Sequence, residues 1–151
     1  MVFQIVIGLS MTAMTIIVGA LIIVFSTEQL QKYHHWLTSG HLLLNHVLAL
    51  TLITTWLVLG LLFVMGLWAI TLVMLGVFSE IEPALYFSMI SFTTLGFGDV
   101  ILPDKWRLLS GFIATDGFIL FGLNTAFLFE ILRRLREGIQ PVAAPKGEDR
   151  K

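Results

Sequence analysis

The sequence predicts an all-α membrane protein with three long spanning helices and one short re-entrant segment. Hydrophobic residues make up 57% of the chain and charged residues 13%, whereas soluble domains carry about 25% charged residues. Mean hydropathy is +0.92. Three runs almost free of charge are long enough for the roughly 20 residues that a spanning helix needs, and a fourth is too short.

Composition also excludes several classes of function. The net charge of −1 and the absence of a basic stripe with interleaved aromatic residues argue against a nucleic-acid partner. The chain has no cysteine, which excludes disulfides, thiolate metal sites and cysteine nucleophiles. Because so small a bundle has little interior in which to build a site, we expect a symmetric oligomer.

The first span is predicted within residues 1–25, where Val2 to Phe25 contains no charge. A cleaved signal peptide is the alternative, but it would need a positive start and an apolar core of only about 7–15 residues. We therefore expect a retained transmembrane helix. Gly8, Thr12 and Gly19 are small enough to let another helix approach closely.

Residues 26–42 are predicted to form an interfacial linker. Ser26 or Thr27 could cap a short helix, and Tyr33 and Trp36 suit the membrane–water boundary.

The next apolar run, His41 to Phe78, could form one helix or two. Two spans would need a turn near Gly60 or Gly66, yet no Pro, Asn or Asp lies between Val47 and Phe78. We therefore expect one long, tilted helix that begins in the interface or the cytosol.

A break at residues 79–83 precedes a short helix, predicted from Ala84 to Thr93, with Pro83 suited to its first turn. It is too short to span the bilayer. The final span is predicted from Trp106 to Leu132. Arginines follow it, which predicts a cytoplasmic C-terminus, and residues 136–151 have the composition of a disordered tail.

The short helix runs into the sequence SFTTLGFGD at residues 91–99. Irregular backbone at membrane depth persists only where protein shields it or where it lines a watery path. Carbonyls of residues 94–97 could then replace the hydration shell of a cation, and Gly96 and Gly98 could adopt the positive φ that such a ladder requires. The negative end of the helix dipole would favour cations. A plain glycine turn is the alternative, but it does not account for the neighbouring segments.

Two stretches resemble a known family. ALYFSMISFTTLGFGDV resembles the pore helix and selectivity filter of tetrameric potassium channels, whose signature is TVGYGD or TxGFGD, and DGFILFGLNTAFLFEILRR resembles their inner helix. GDVILPDKWRLLSG and FGLNTAFLF are similar to a group of small bacterial ion-channel proteins with one extra N-terminal span. The resemblance covers residues from about 50 to 135. It implies a pore domain at 43–135 with outer helix, re-entrant pore helix plus filter, and inner helix.

The resemblance implies a potassium-selective channel, not an enzyme, in the bacterial inner membrane. Its partners would be three further copies of itself and membrane lipids, and its only cofactor K+ ions in the filter. Three groups of residues match the family's functional positions: the ion-binding Thr94, Leu95, Gly96, Phe97 and Gly98; the filter-supporting Tyr86, Phe87, Thr93 and Asp99; and the gating-hinge and cavity residues Gly117, Phe121, Thr125 and Ala126.

Two departures from the family pattern concern the support of the filter. Ile90 stands where many members have a carboxylate or polar residue, and Phe97 lacks the hydroxyl of the usual tyrosine. We therefore expect Tyr86 to hydrogen-bond Asp99, and apolar packing among Phe87, Phe92 and Phe97 to hold the rest.

Asp116 is an acid within the final span, where charge is costly and usually marks function. At 100° per residue, the residues expected to face the cavity, Phe118, Phe121 and Thr125, lie within about 60° of one another around the helix. Asp116 lies about 160° away from them. We expect Asp116 to turn away from the cavity, toward the pore helix or a neighbouring subunit, and to form hydrogen bonds behind the filter. A modulatory role in gating is the corresponding hypothesis.

Three other functions stay open. The pore could pass monovalent cations less selectively. A potassium transporter subunit is disfavoured because such chains carry four pore loops. The four histidines, His34, His35, His41 and His46, could hold a metal or haem, although without a carboxylate or thiolate they are more typical of an interface.

The acidic Glu80, Glu82, Asp99 and Asp104 are expected to concentrate cations at the outer mouth.

Overall fold

The computed structural model describes residues 2–32 and 42–137. These residues contain four α-helices: α1 (Val2–Lys32), α2 (Leu42–Met74), α3 (Ile81–Phe92) and α4 (Arg107–Glu137). A 3₁₀ turn at Asp104–Trp106 leads into α4, and no strand occurs in these ranges. Helices α1, α2 and α4 are long and apolar enough to cross a membrane. The predicted all-α architecture, with three long helices and one short one, is confirmed.

Helix α1 is longer than the sequence suggested. It continues through Ser26 and Thr27 to Lys32. The Ser26 hydroxyl donates to the carbonyl of Ile22 at 2.6 Å, and the Thr27 hydroxyl donates to that of Val24 at 2.6 Å. The predicted cap at these residues is therefore wrong, because both hydroxyls bond back into the same helix. The rest of the predicted linker, 33–41, lies outside the described residues.

Helix α2 is a single helix, as predicted from the absence of turn residues. It ends in a Schellman motif centred on Gly76, whose φ is +66°. The N–H of Val77 donates to the carbonyl of Leu72 at 3.0 Å, and the N–H of Gly76 donates to that of Val73 at 2.9 Å. These bonds satisfy carbonyls that the end of the helix leaves free.

Helix α3 begins slightly earlier than predicted, at Ile81, and carries Pro83 in its first turn. Glu82 in the same turn lies at the positive end of the helix dipole, where a carboxylate is favourable. The helix packs between α2 and α4. The main core forms where these three helices meet; its fully buried members include Trp68, Ala69, Leu72, Ala84, Phe92, Leu109 and Ile113.

Helix α1 lies against α4 and α2 and runs parallel to α4. Gly8 faces Phe112 and Gly19 faces Leu120, so the two helices run in the same direction. The two glycines permit this close approach, because an added Cβ would lie 2.3 Å from the Phe112 ring and 2.6 Å from Leu120. The small positions predicted at Gly8 and Gly19 therefore contact another helix.

Candidate functional site

The segment after α3 folds back on the end of that helix. The N–H of Thr94 donates to the carbonyl of Ser91 at 2.9 Å, and the N–H of Gly96 donates to that of Ile90 at 3.1 Å. The N–H and the preceding C=O of a trans peptide point in opposite directions. The Leu95 carbonyl, which shares a peptide plane with the Gly96 N–H, therefore points away from α3.

Backbone handedness alternates along this segment. Thr94, Gly96 and Gly98 have φ values of +59°, +51° and +80°, whereas the intervening Leu95 and Phe97 do not have positive φ. The positive φ of the two glycines agrees with the sequence-based expectation. Thr94 was not expected to share it, because a side chain makes this conformation less favourable. Thr94 is the only non-glycine residue with positive φ in the described part of the chain.

Residues 93–99 are all exposed in the single chain. Phe97 is 67% exposed, so the predicted packing of Phe97 with Phe87 and Phe92 is not formed within one chain. Phe87 instead packs against Phe78, with ring centroids 5.8 Å apart. Phe87 and Phe92 are buried in the main core.

The hydrogen bond predicted between Tyr86 and Asp99 is present. The Tyr86 hydroxyl donates to Asp99 Oδ2 at 2.6 Å. This bond lowers the pKa of the Asp99 carboxyl and raises the pKa of the Tyr86 hydroxyl. Ile90 is buried where the resemblance would place a polar side chain. The hydroxyl of Thr93, which directly follows α3, donates back to the carbonyl of Met89 at 2.7 Å.

Helix α4 contacts the end of α3 through Gly117. A Cβ added at Gly117 would lie 2.0 Å from the carbonyl oxygen of Phe92, so only glycine fits there without movement. One turn further along α4, Phe121 packs edge-on against Phe92 with centroids 5.6 Å apart. Thr125 and Ala126 are exposed on the same helix, and the Thr125 hydroxyl donates to the carbonyl of Phe121 at 2.8 Å.

Asp116 is fully buried on the opposite side of α4. Its Oδ2 accepts hydrogen bonds from Thr15 Oγ1 and Trp68 Nε1, each at 2.7 Å. Asp116 does turn away from the exposed face, as the helical periodicity predicts. Its hydrogen-bond partners, however, lie on α1 and α2 and not on the pore helix. Thr15 and Trp68 were not predicted as partners, although a hydroxyl and an indole N–H within apolar spans were the available signals.

Comparison with known proteins identifies the family. A family model described as "Ion channel" matches residues 47–134, more than half of the chain. The chain belongs to the ion channel family. No curated protein and no solved structure matches it significantly. The matched region of the channel comprises most of α2, then α3 with the exposed segment, and nearly all of α4. Helix α1 precedes it.

The remaining charged and histidine residues form no metal site in the described regions. No group of three potential ligands occurs there. His46 lies on α2, whereas His34, His35 and His41 lie outside the described residues. The acidic residues expected at the channel mouth, Glu80, Glu82, Asp99 and Asp104, are exposed, and Asp104 pairs with Arg107.

Proposed function

We propose that this ion channel conducts K+ selectively and passively through one central filter formed by Thr94–Gly98 of four identical chains. The observation that carries the proposal is the alternation of positive φ at Thr94, Gly96 and Gly98. In an extended strand, alternating handedness lets successive carbonyls face the same side. Such a ladder of oxygens can replace the water shell of a cation.

The position of α3 supports a preference for cations. The helix ends at Phe92, next to the filter segment. Its C-terminal end carries roughly half a negative charge from the helix dipole. An anion at the start of the filter would be repelled, whereas a dehydrated cation would be stabilised.

The exposure of the filter segment supports assembly around an axis. Residues 93–99 are uncovered in one chain, and backbone of this kind cannot face lipid within the bilayer. The α4 face bearing Phe118, Phe121 and Phe129 is exposed as well, with Phe118 at 78% and Phe129 at 68%. Further copies of the chain would cover both surfaces, and the resemblance to potassium channels implies three of them, four chains in all. Lipids would cover the outer faces of the assembly.

Arginines at the end of α4 support a cytoplasmic C-terminus. Arg133 and Arg134 both pair with Glu130. Under the positive-inside rule these arginines favour a cytoplasmic C-terminus. The filter, at the other end of α4, would then face the outside.

The test is ion flux from liposomes that contain the purified full-length protein. We expect a K+ flux that Ba2+ blocks and that far exceeds Na+ flux under the same gradient. In the Gly96→Ala protein, residue 96 would carry a side chain at positive φ. This conformation costs about 1 kcal/mol in each subunit and about 4 kcal/mol over four subunits. K+ flux should therefore fall more than about tenfold.

Gly66→Ala is the matched control. It makes the same replacement within α2, where an added Cβ would meet nothing within 4 Å. Its flux should equal that of the wild type. Equal K+ and Na+ fluxes would favour a less selective cation channel, and equal fluxes of the Gly96→Ala and Gly66→Ala proteins would contradict the role of the filter.

A further inference from the structure

A single buried acid joins three helices of the channel. Asp116 is the only buried residue with an ionisable side chain among those described. Its Oδ2 accepts hydrogen bonds from Thr15 Oγ1 of α1 and from Trp68 Nε1 of α2. Acids within membrane spans are costly and are retained for function more often than for stability. The pore itself does not use this one, because it faces away from the exposed side of α4.

Helix α1 packs closely against α4 at positions before and after this acid along the helix. Gly8 accommodates the Phe112 ring and Gly19 accommodates Leu120. Thr15 lies between the two glycines and is fully buried. Helices α1 and α4 thus pack closely at Gly8 and Gly19. Two hydrogen bonds fix the register of α1: Gln4 Nε2 to the Lys105 carbonyl just before α4, and Thr15 Oγ1 to Asp116 within α4.

The next residue of α4 lies against the end of α3. Gly117 directly follows Asp116 and touches the Phe92 carbonyl, where an added Cβ would lie only 2.0 Å away. Phe92 is the last residue of α3 and precedes the filter residue Thr94 by two positions. A displacement of α4 toward α3 would therefore push on the backbone two residues before Thr94, since no free space separates Gly117 from the Phe92 carbonyl.

We propose that Asp116 is a positioning residue of the filter and that α1, through the Thr15–Asp116 hydrogen bond, sets filter geometry. The proposal rests on the proposed function and assigns a role to the helix that precedes the family domain. Helix α1 holds α4 from the side opposite the pore, and Gly117 transmits that position to Phe92. Movement of α1 within the bilayer would then change ion binding in the filter without any contact between α1 and an ion.

The test compares two isosteric replacements on α1. Thr15→Val removes the hydroxyl that bonds Asp116 and keeps the shape of the side chain. Thr12→Val makes the same change one turn earlier, at a buried hydroxyl that has no hydrogen-bond partner. The readout is the apparent Ba2+ dissociation constant for block of K+ flux in liposomes, because Ba2+ affinity reports filter geometry and not the number of folded channels.

We expect Thr15→Val to change the Ba2+ dissociation constant about threefold or more, the factor that loss of one hydrogen bond to an ionisable group can produce. Thr12→Val should match the wild type, and Thr15→Ser, which keeps the hydroxyl, should restore wild-type block. If Thr15→Val does not assemble, Trp68→Phe removes the other bond to the same oxygen and should shift the constant similarly.

Two results would overturn the proposal, and they are distinguishable. If the wild type conducts K+ with Ba2+ block but the Thr15→Val or Trp68→Phe channel has an unchanged Ba2+ constant, Asp116 does not position the filter and the proposed function stands. If the wild type conducts no K+, the proposed function fails and this proposal fails with it.

Discussion

Replacement of Gly117 by alanine tests how closely α4 packs on the end of α3. The added Cβ would lie 2.0 Å from the Phe92 oxygen, and Cβ contacts below 3.0 Å essentially do not occur. The two helices must therefore separate by about 1 Å, and overpacking of this kind costs about 1–3 kcal/mol. We expect the free energy of unfolding to fall by that amount and K+ flux to fall with it, because the displaced carbonyl adjoins the proposed filter.

The assay is SDS-induced unfolding in mixed micelles together with liposome flux. Gly111→Ala is the control, since it lies on the same helix and its Cβ would meet nothing within 4 Å. A glycine that served only as a hinge could be replaced without loss of unfolding free energy. If Gly117→Ala and Gly111→Ala unfold and conduct alike, the close-packing argument is refuted.

Two further predictions concern the filter support and the end of α2. Tyr86→Phe removes the hydrogen bond to Asp99 and should alter steady-state current or selectivity; unchanged values would contradict the supporting role. Because this bond lowers the folded-state pKa of Asp99, its stabilisation exists above the unfolded value of about 3.9 and is lost as pH falls through the lower folded value. Acid unfolding should accordingly begin at higher pH in Tyr86→Phe than in the wild type. Gly76→Ala places a side chain at a φ of +66° and should lower the unfolding free energy by about 1 kcal/mol, whereas Gly66→Ala should not lower it in the same titration.

The sequence predicted those features that depend on local chemistry. Helix α2 is continuous because no turn residue interrupts its apolar run. Gly96 and Gly98 adopt positive φ because glycine does so at little cost. The bond between Tyr86 and Asp99 followed from the absence of the usual polar partners and is present at 2.6 Å.

Features that depend on tertiary contacts were not predictable in the same way. Helical periodicity placed Asp116 away from the exposed face, but it carries no information on which helix would cover that side. Thr15 becomes its partner because α1 packs parallel to α4, and Trp68 does so because α2 also contacts α4. The end of α1 was misplaced at Ser26, since a serine can cap a helix or bond back into it, and only the structure distinguishes the two.

The reversal potential of the reconstituted channel, with K+ on one side of the bilayer and Na+ on the other, tests the central claim most directly. A four-fold ladder of filter carbonyls predicts a strongly K+-selective reversal potential and a current that Ba2+ blocks. A reversal potential near zero would contradict K+ selectivity, and the absence of any Ba2+-sensitive current would contradict the proposed filter itself.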